Sequence, residues 1–182
     1  MALYYPDSCE TEVPDHVCDP CETLEKGRVS SVALITDPLF EFEDVTDPTE
    51  WIAGMESGAI TVIPEVVGSF DGGTEVEGPG YGRQSTKLIS YDFVLNFRDP
   101  NYKSNCEYWN AVKRLRTVRV VYVTETQAHY VNVPVSLIPK SPVTEELNSD
   151  VVYDITAKWS SPDLPCPVNK PAGIFDACVY AD

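Results

Sequence analysis

Between Ser85 and Phe97 the side chains alternate, and that alternation constrains the fold more than any other feature of the chain. Ile89, Tyr91, Phe93, Leu95 and Phe97 fall on one face; Ser90, Asp92 and Asn96 fall on the other, with Val94 the single apolar exception. A period of two sends successive side chains to opposite sides, so this segment is a strand with one buried and one wet face. Val151–Trp159 alternates similarly, with Val151, Tyr153, Ile155, Ala157 and Trp159 on one side. Arg28–Thr36 is rich in β-branched residues and is closed by Asp37-Pro38. Thr117–Thr124 and Ala128–Ile138 are further strands around a short turn at 125–127, the second broken by Pro134. Ala59–Phe70 is interrupted at Pro64. Proline cannot donate to a ladder, so this strand belongs at an edge or carries a bulge.

Two segments read as helix. Asp47-Pro48-Thr49-Glu50 has the form of a helix start, and Gly54 and Gly58 leave it one or two turns. Asp99-Pro100 opens the main helix, over about 100–115, with Asp99 as N-cap and Pro100 at the first position. Tyr102, Cys106, Trp109 and Val112 form its apolar stripe. Lys113, Arg114 and Arg116 crowd its end, where positive charge complements the helix dipole.

The order is arm, β, short α, β, long loop, β, α, β, β, β, arm. Six strands with mostly local connections and one main helix give a mainly β chain, an antiparallel sandwich or barrel with a flanking helix. The 182 residues, 43% hydrophobic, suit one domain with a sizeable core. Residues 1–27 read as an acidic, cysteine-bearing arm, 28–160 as the sandwich and 161–182 as a second arm with prolines and cysteines. Residues 71–82 hold five glycines and read as a long loop. Loops of this length are usually functional or disordered; in an oligomer this one would fold over a neighbouring subunit, and as a surface loop it would simply be mobile.

Charge is unevenly placed. Residues 1–56 carry 14 Asp/Glu against 2 Lys/Arg, and residues 83–119 carry 8 Lys/Arg against 3 Asp/Glu, within a total of −16. An acidic arm and a basic belt can dock head to tail on copies of the same chain. Arg83, Lys87, Lys113, Arg114, Arg116 and Arg119 on the basic side, and Glu41, Glu43 and Asp44 on the acidic side, are the candidate interface residues. So acidic a chain is a poor general binder of nucleic acid. No apolar stretch approaches the ~18–20 residues that cross a bilayer, so no membrane partner is expected. The start, Met1 to Pro6, lacks the basic and apolar regions of a signal peptide, and cytoplasmic synthesis is the default expectation.

The pattern contains no catalytic constellation. His16 and His129 are the only histidines, and His129 has no evident nucleophile or base beside it. Neither a G-x-S-x-G elbow nor a phosphate-binding P-loop occurs, and Gly78-Pro79-Gly80-Tyr81-Gly82 lacks the dinucleotide spacing. The expectation is a non-enzymatic protein without a cofactor. A structural zinc is the open alternative: Cys18-Asp19-Pro20-Cys21 has C-x-x-C spacing. Cys166 and Cys178 would complete a tetrahedral set, with Cys9 or His16 as substitutes. Late disulfides and free thiols account for the same residues equally well; a redox module on Cys18 and Cys21 is a further alternative, although the proline-bearing flanks lack the βαβ context of a thioredoxin-type motif.

The run Trp51-Ile52-Ala53-Gly54-Met55-Glu56-Ser57-Gly58, the strand to Gly68-Ser69-Phe70, the glycine loop ending Gly80-Tyr81-Gly82-Arg83 and the strand to Phe97 resemble small structural proteins of tailed-phage virions. Tyr108-Trp109 in the helix and the strand ending Lys158-Trp159 extend the likeness over roughly residues 28–160. The layout is most similar to tail-tube-type subunits. That resemblance implies a β-sandwich with a flanking helix, a long loop and arms, packed as homo-oligomeric rings that stack head to tail. It also implies an acidic lumen through which DNA passes without specific binding, contacts with other virion proteins, and residence in the virion after synthesis in the host cytoplasm. A capsid decoration, connector or collar subunit shares these features.

Overall fold

The computed structural model describes residues 14–80, 82 and 86–176, the Lys87 side chain excepted. It contains two antiparallel sheets and two short helices. Sheet 1 has the order β10 (Pro167–Asn169), β7 (Gln127–Val131), β6 (Arg119–Val123), β1 (Ser31–Ile35), β2 (Ile60–Ile63). Sheet 2 has the order β3 (Val67–Phe70), β5 (Thr86–Asp99), β9 (Tyr153–Ser161), β8 (Ser136–Lys140), and β4 (Thr74–Pro79) also pairs with β5. The expected β-sandwich with a flanking helix is the observed architecture.

The sheets enclose one core. Val32, Leu34, Val120 and Tyr122 of sheet 1 meet Phe93, Leu95, Phe97, Ile155, Ala157 and Trp159 of sheet 2. Phe70, Phe93 and Trp159 stack there at centroid distances of 5.4 to 5.8 Å. The outer face of sheet 1 is covered as well. Ala33, Ile35, Val121 and Val123 lie under Trp51 of α1 (Pro48–Glu56) and under Ile174 and Phe175. Strands β1 and β6 are thus buried on both faces, and both read as unbroken apolar runs in the sequence for that reason.

Pro64 and Pro134 both stand at corners. β2 leaves sheet 1 and β3 enters sheet 2 across Pro64, and β7 passes to β8 across Pro134. Each sheet change interrupts a ladder, so the missing proline N–H costs nothing there. Backbone bonds close the corners: Val29 and Gly68 exchange N–H···O bonds of 3.0 Å, and Val135 N–H donates to Val118 at 2.8 Å. A Cβ on Gly68 would stand 2.7 Å from the Asn96 carbonyl oxygen, so only glycine permits that approach.

Several expectations need correction. The main helix, α2, covers only Cys106–Val112, with Asn105 as N-cap. Asp99 is instead the last residue of β5, paired with Tyr153. Its side chain accepts from Asn101 N–H (3.0 Å), Asn105 Nδ2 (2.8 Å) and Trp109 Nε1 (2.9 Å). Such local side-chain bonds compete with helical geometry and hold residues 100–105 in turns. The 71–82 segment is not one long loop, because β4 runs through it. The 161–182 segment is not wholly an arm either: β10 pairs with β7, and Ile174 and Phe175 are buried. Ile89, read as a core residue, is 58% exposed. The short helix is as read: Asp47 caps α1, its side chain accepting from Thr49 N–H at 2.8 Å with Pro48 in the first turn.

Candidate assembly surface

Strand β5 is longer than the sheet that contains it. β9 pairs with it only over Tyr91–Asp99, so Thr86–Ser90 has β4 as its one neighbour among the described residues. These five residues and β4 form a two-stranded ribbon that extends about 17 Å past the last β9 pair. A register shift between Val76 and Glu77 leaves Ile89 without a cross-strand partner. A Cβ at Gly78 would overlap the Ile89 side chain, so the glycine makes room for it. Leu88 is 45% exposed, and Glu75 and Glu77 are exposed on the facing strand. A ribbon of two strands is marginal alone in water, and its open edges offer unpaired backbone groups to another chain. Composition hides this feature, because β4 contains glycine and proline and gains its pairing only from β5.

The charged candidates separate into three groups. Lys113, Arg114 and Arg116 are exposed in the turn after α2. Lys113 Nζ donates to Asn110 Oδ1 at 2.7 Å. Glu41, Glu43 and Asp44 are exposed in the loop between β1 and α1. Glu50 ties that loop down, its carboxylate accepting from Glu43 N–H (2.9 Å) and Asp44 N–H (3.1 Å). Bonds from the Thr46 hydroxyl and N–H hold the Asp44 carboxyl below its usual range. Arg83 lies outside the described residues, and Lys87 is placed only as part of the β5 backbone.

Arg119 is a correction. It is only 6% exposed, and its guanidinium is spent inside the protomer. It donates to Tyr130 Oη (2.8 Å), Asn132 Oδ1 (3.3 Å), the Asp37 carbonyl (3.1 Å) and the Phe40 carbonyl. It therefore anchors the acidic loop and is not offered to a partner. A cation at the head of an apolar strand run was the signal, since a buried charge needs several partners. Arg119 also pairs across the ladder with Ile35. The basic turn runs into β6, and the acidic loop leaves β1, at this same end of the pair. The two segments are therefore not opposite poles. No ion pair joins them among the described residues, where Arg98–Asp154 and Lys170–Asp176 are the recorded pairs.

The described part of the N-terminal segment is tethered by Glu25. Its carboxylate accepts from Thr124 Oγ1 (2.8 Å) and from Thr126 N–H and Oγ1 (both 2.6 Å). The Thr126 hydroxyl, then the Thr126 amide, then Thr124 lower its pKa from 4.5 to about 2. The depressed value fixes the sign: the tether is intact above pH 4.5 and is lost as pH falls through about 2. The Thr126 amide resonance is expected to stay constant down to pH 4 and then shift with a midpoint near 2, while Glu25→Gln abolishes that titration.

Cys18, Cys21 and Cys166 are exposed, and no disulfide joins them among the described residues. Among the described residues no three His, Cys, Asp or Glu side chains gather as a metal set, and Cys178 and Cys9 lie outside those residues. His129 stacks on Tyr122 at 4.5 Å, nearly parallel. Burial holds its pKa below the usual value. It lines a cleft of about 530 Å³ with Phe70, Tyr122, Leu164 and Pro165, and Arg28 also contributes to the wall.

No family model, curated protein or solved structure matches the chain.

Proposed function

We propose that this protein is a structural subunit of a tailed-phage virion, a tail-tube-type protein that assembles into stacked homo-oligomeric rings. The observation that carries this reading is the β4–β5 ribbon. It extends past the sandwich with both edges unpaired among the described residues and with Leu88 and Ile89 exposed. A lone protomer gains little from such an element, whereas a head-to-tail contact between identical copies buries it and closes a ring. The sandwich with a flanking helix supports the same reading, as does a net charge of −16. An acidic channel wall repels phosphate, so DNA slides through without being held. The charge layout changes how the rings form. With the acidic loop and basic turn at one end of the β1–β6 pair, association begins through the ribbon and not through unlike poles.

Negative-stain microscopy and sedimentation of the purified chain test this directly. Rings or tubes are expected. A strictly monomeric species at high concentration, across low and high salt, overturns the reading. Discs or arrays decorating a capsid-like lattice move the protein to another position in the virion.

A further inference from the structure

We propose that the cleft beside the Tyr122–His129 stack receives the β4–β5 ribbon of a second copy of this chain. Leu88 and Ile89 would seat against Phe70, Tyr122, Leu164 and Pro165, and Glu77 would pair with Arg28. This inference rests on the self-assembly reading and names its acceptor surface.

Two observations meet at this contact. The first is charge. Arg28 is exposed, lines the cleft and has no carboxylate partner among the described residues. Glu75 and Glu77 are exposed on the ribbon, and no cation pairs with them among the described residues. Opposite charges brought together as the surfaces lose water fix orientation as well as adding attraction.

The second is shape and polarity. The cleft is walled mainly by apolar and aromatic side chains, and about 530 Å³ is ample for two aliphatic side chains. Leu88 and Ile89 are the exposed aliphatics on β5.

Ribbon and cleft are different surfaces of one chain, so the contact is heterologous and each copy both gives and receives. Such a contact either closes into a ring or extends.

The test is charge reversal read by sedimentation of the full chain. Arg28→Glu alone and Glu77→Arg alone are each expected to weaken self-association about tenfold or more. The double variant Arg28→Glu/Glu77→Arg is expected to recover most of that loss. Leu88→Ser/Ile89→Ser is expected to weaken association at least as strongly. All these positions are exposed, so thermal melting that matches the wild type confirms that the protomer is intact. Wild-type assembly that none of these variants alters overturns the ribbon-to-cleft contact and leaves the assembly reading standing. Weakening by both single reversals without recovery in the double variant also overturns the pairing of Arg28 with Glu77. A wild-type chain that never self-associates overturns both.

Discussion

Replacing Asp99 with alanine is expected to lower the unfolding free energy by about 3 kcal/mol, read as a shift in the urea midpoint at constant slope. Asp99 is fully buried at the junction of β5 and α2. Its two oxygens take the Trp109 indole N–H, the Asn105 amide and the Asn101 backbone N–H. Without them the buried indole N–H has no acceptor, which alone costs about 1–3 kcal/mol. The remainder comes from the 100–105 turn and from α2, which has seven residues and no side-chain bond at its own N-cap. A helix that short is unstable by itself and depends on packing. Asp99→Asn keeps one acceptor in place, so its loss should be about half as large. Equal losses in the two variants would show that charge at this site, not hydrogen bonding to Trp109, decides the stability.

Asp99 also shows how far the sequence could be read. Asp-Pro followed by an apolar stripe is a sound helix start, and at Asp47-Pro48 the same signal gives the observed helix. At Asp99 the signal misleads because Trp109, ten residues on, competes for the same side chain. Strands β1 and β6 were legible as strands, but not as strands buried on both faces, because the α1 and 174–175 segments that cover their outer face are distant in sequence. The prolines were legible as breaks, but not as corners between sheets, because a corner is defined by strands distant in sequence. The ribbon was hidden for a related reason. Alternation from Ile89 to Phe97 marks a strand, yet nothing in it tells where β9 stops pairing. Arg119 was read as surface charge because the Asp37 and Phe40 carbonyls that accept from it lie about eighty residues away. The candidate assembly surface thus had its charges visible and its apolar ribbon concealed.

The largest single loss is expected for Trp51→Ala, about 3–5 kcal/mol by urea denaturation. Trp51 is fully buried between α1 and the outer face of sheet 1. Its ring lies 4.7 Å from Phe42 and 5.2 Å from Phe175, and Nε1 donates to the Val45 carbonyl at 2.8 Å. One side chain therefore joins three segments that pair weakly or not at all with the sheets: the acidic loop, α1 and the end of the described chain. Removing it opens a cavity that these segments cannot fill without leaving the sheet. The loss should be local in its first effect. Limited proteolysis is expected to cut within 37–47 and near 170 in the variant under conditions where β5 and β9 stay intact. Trp51→Phe keeps most of the ring contact and forfeits the Val45 bond, so about 1–2 kcal/mol is expected for it. If Trp51→Ala instead unfolded all strands together, with no early cleavage in 37–47, the outer layer would be an integral part of the cooperative core. Early cleavage would mean that the outer layer opens independently of the two sheets, with Trp51 holding it closed.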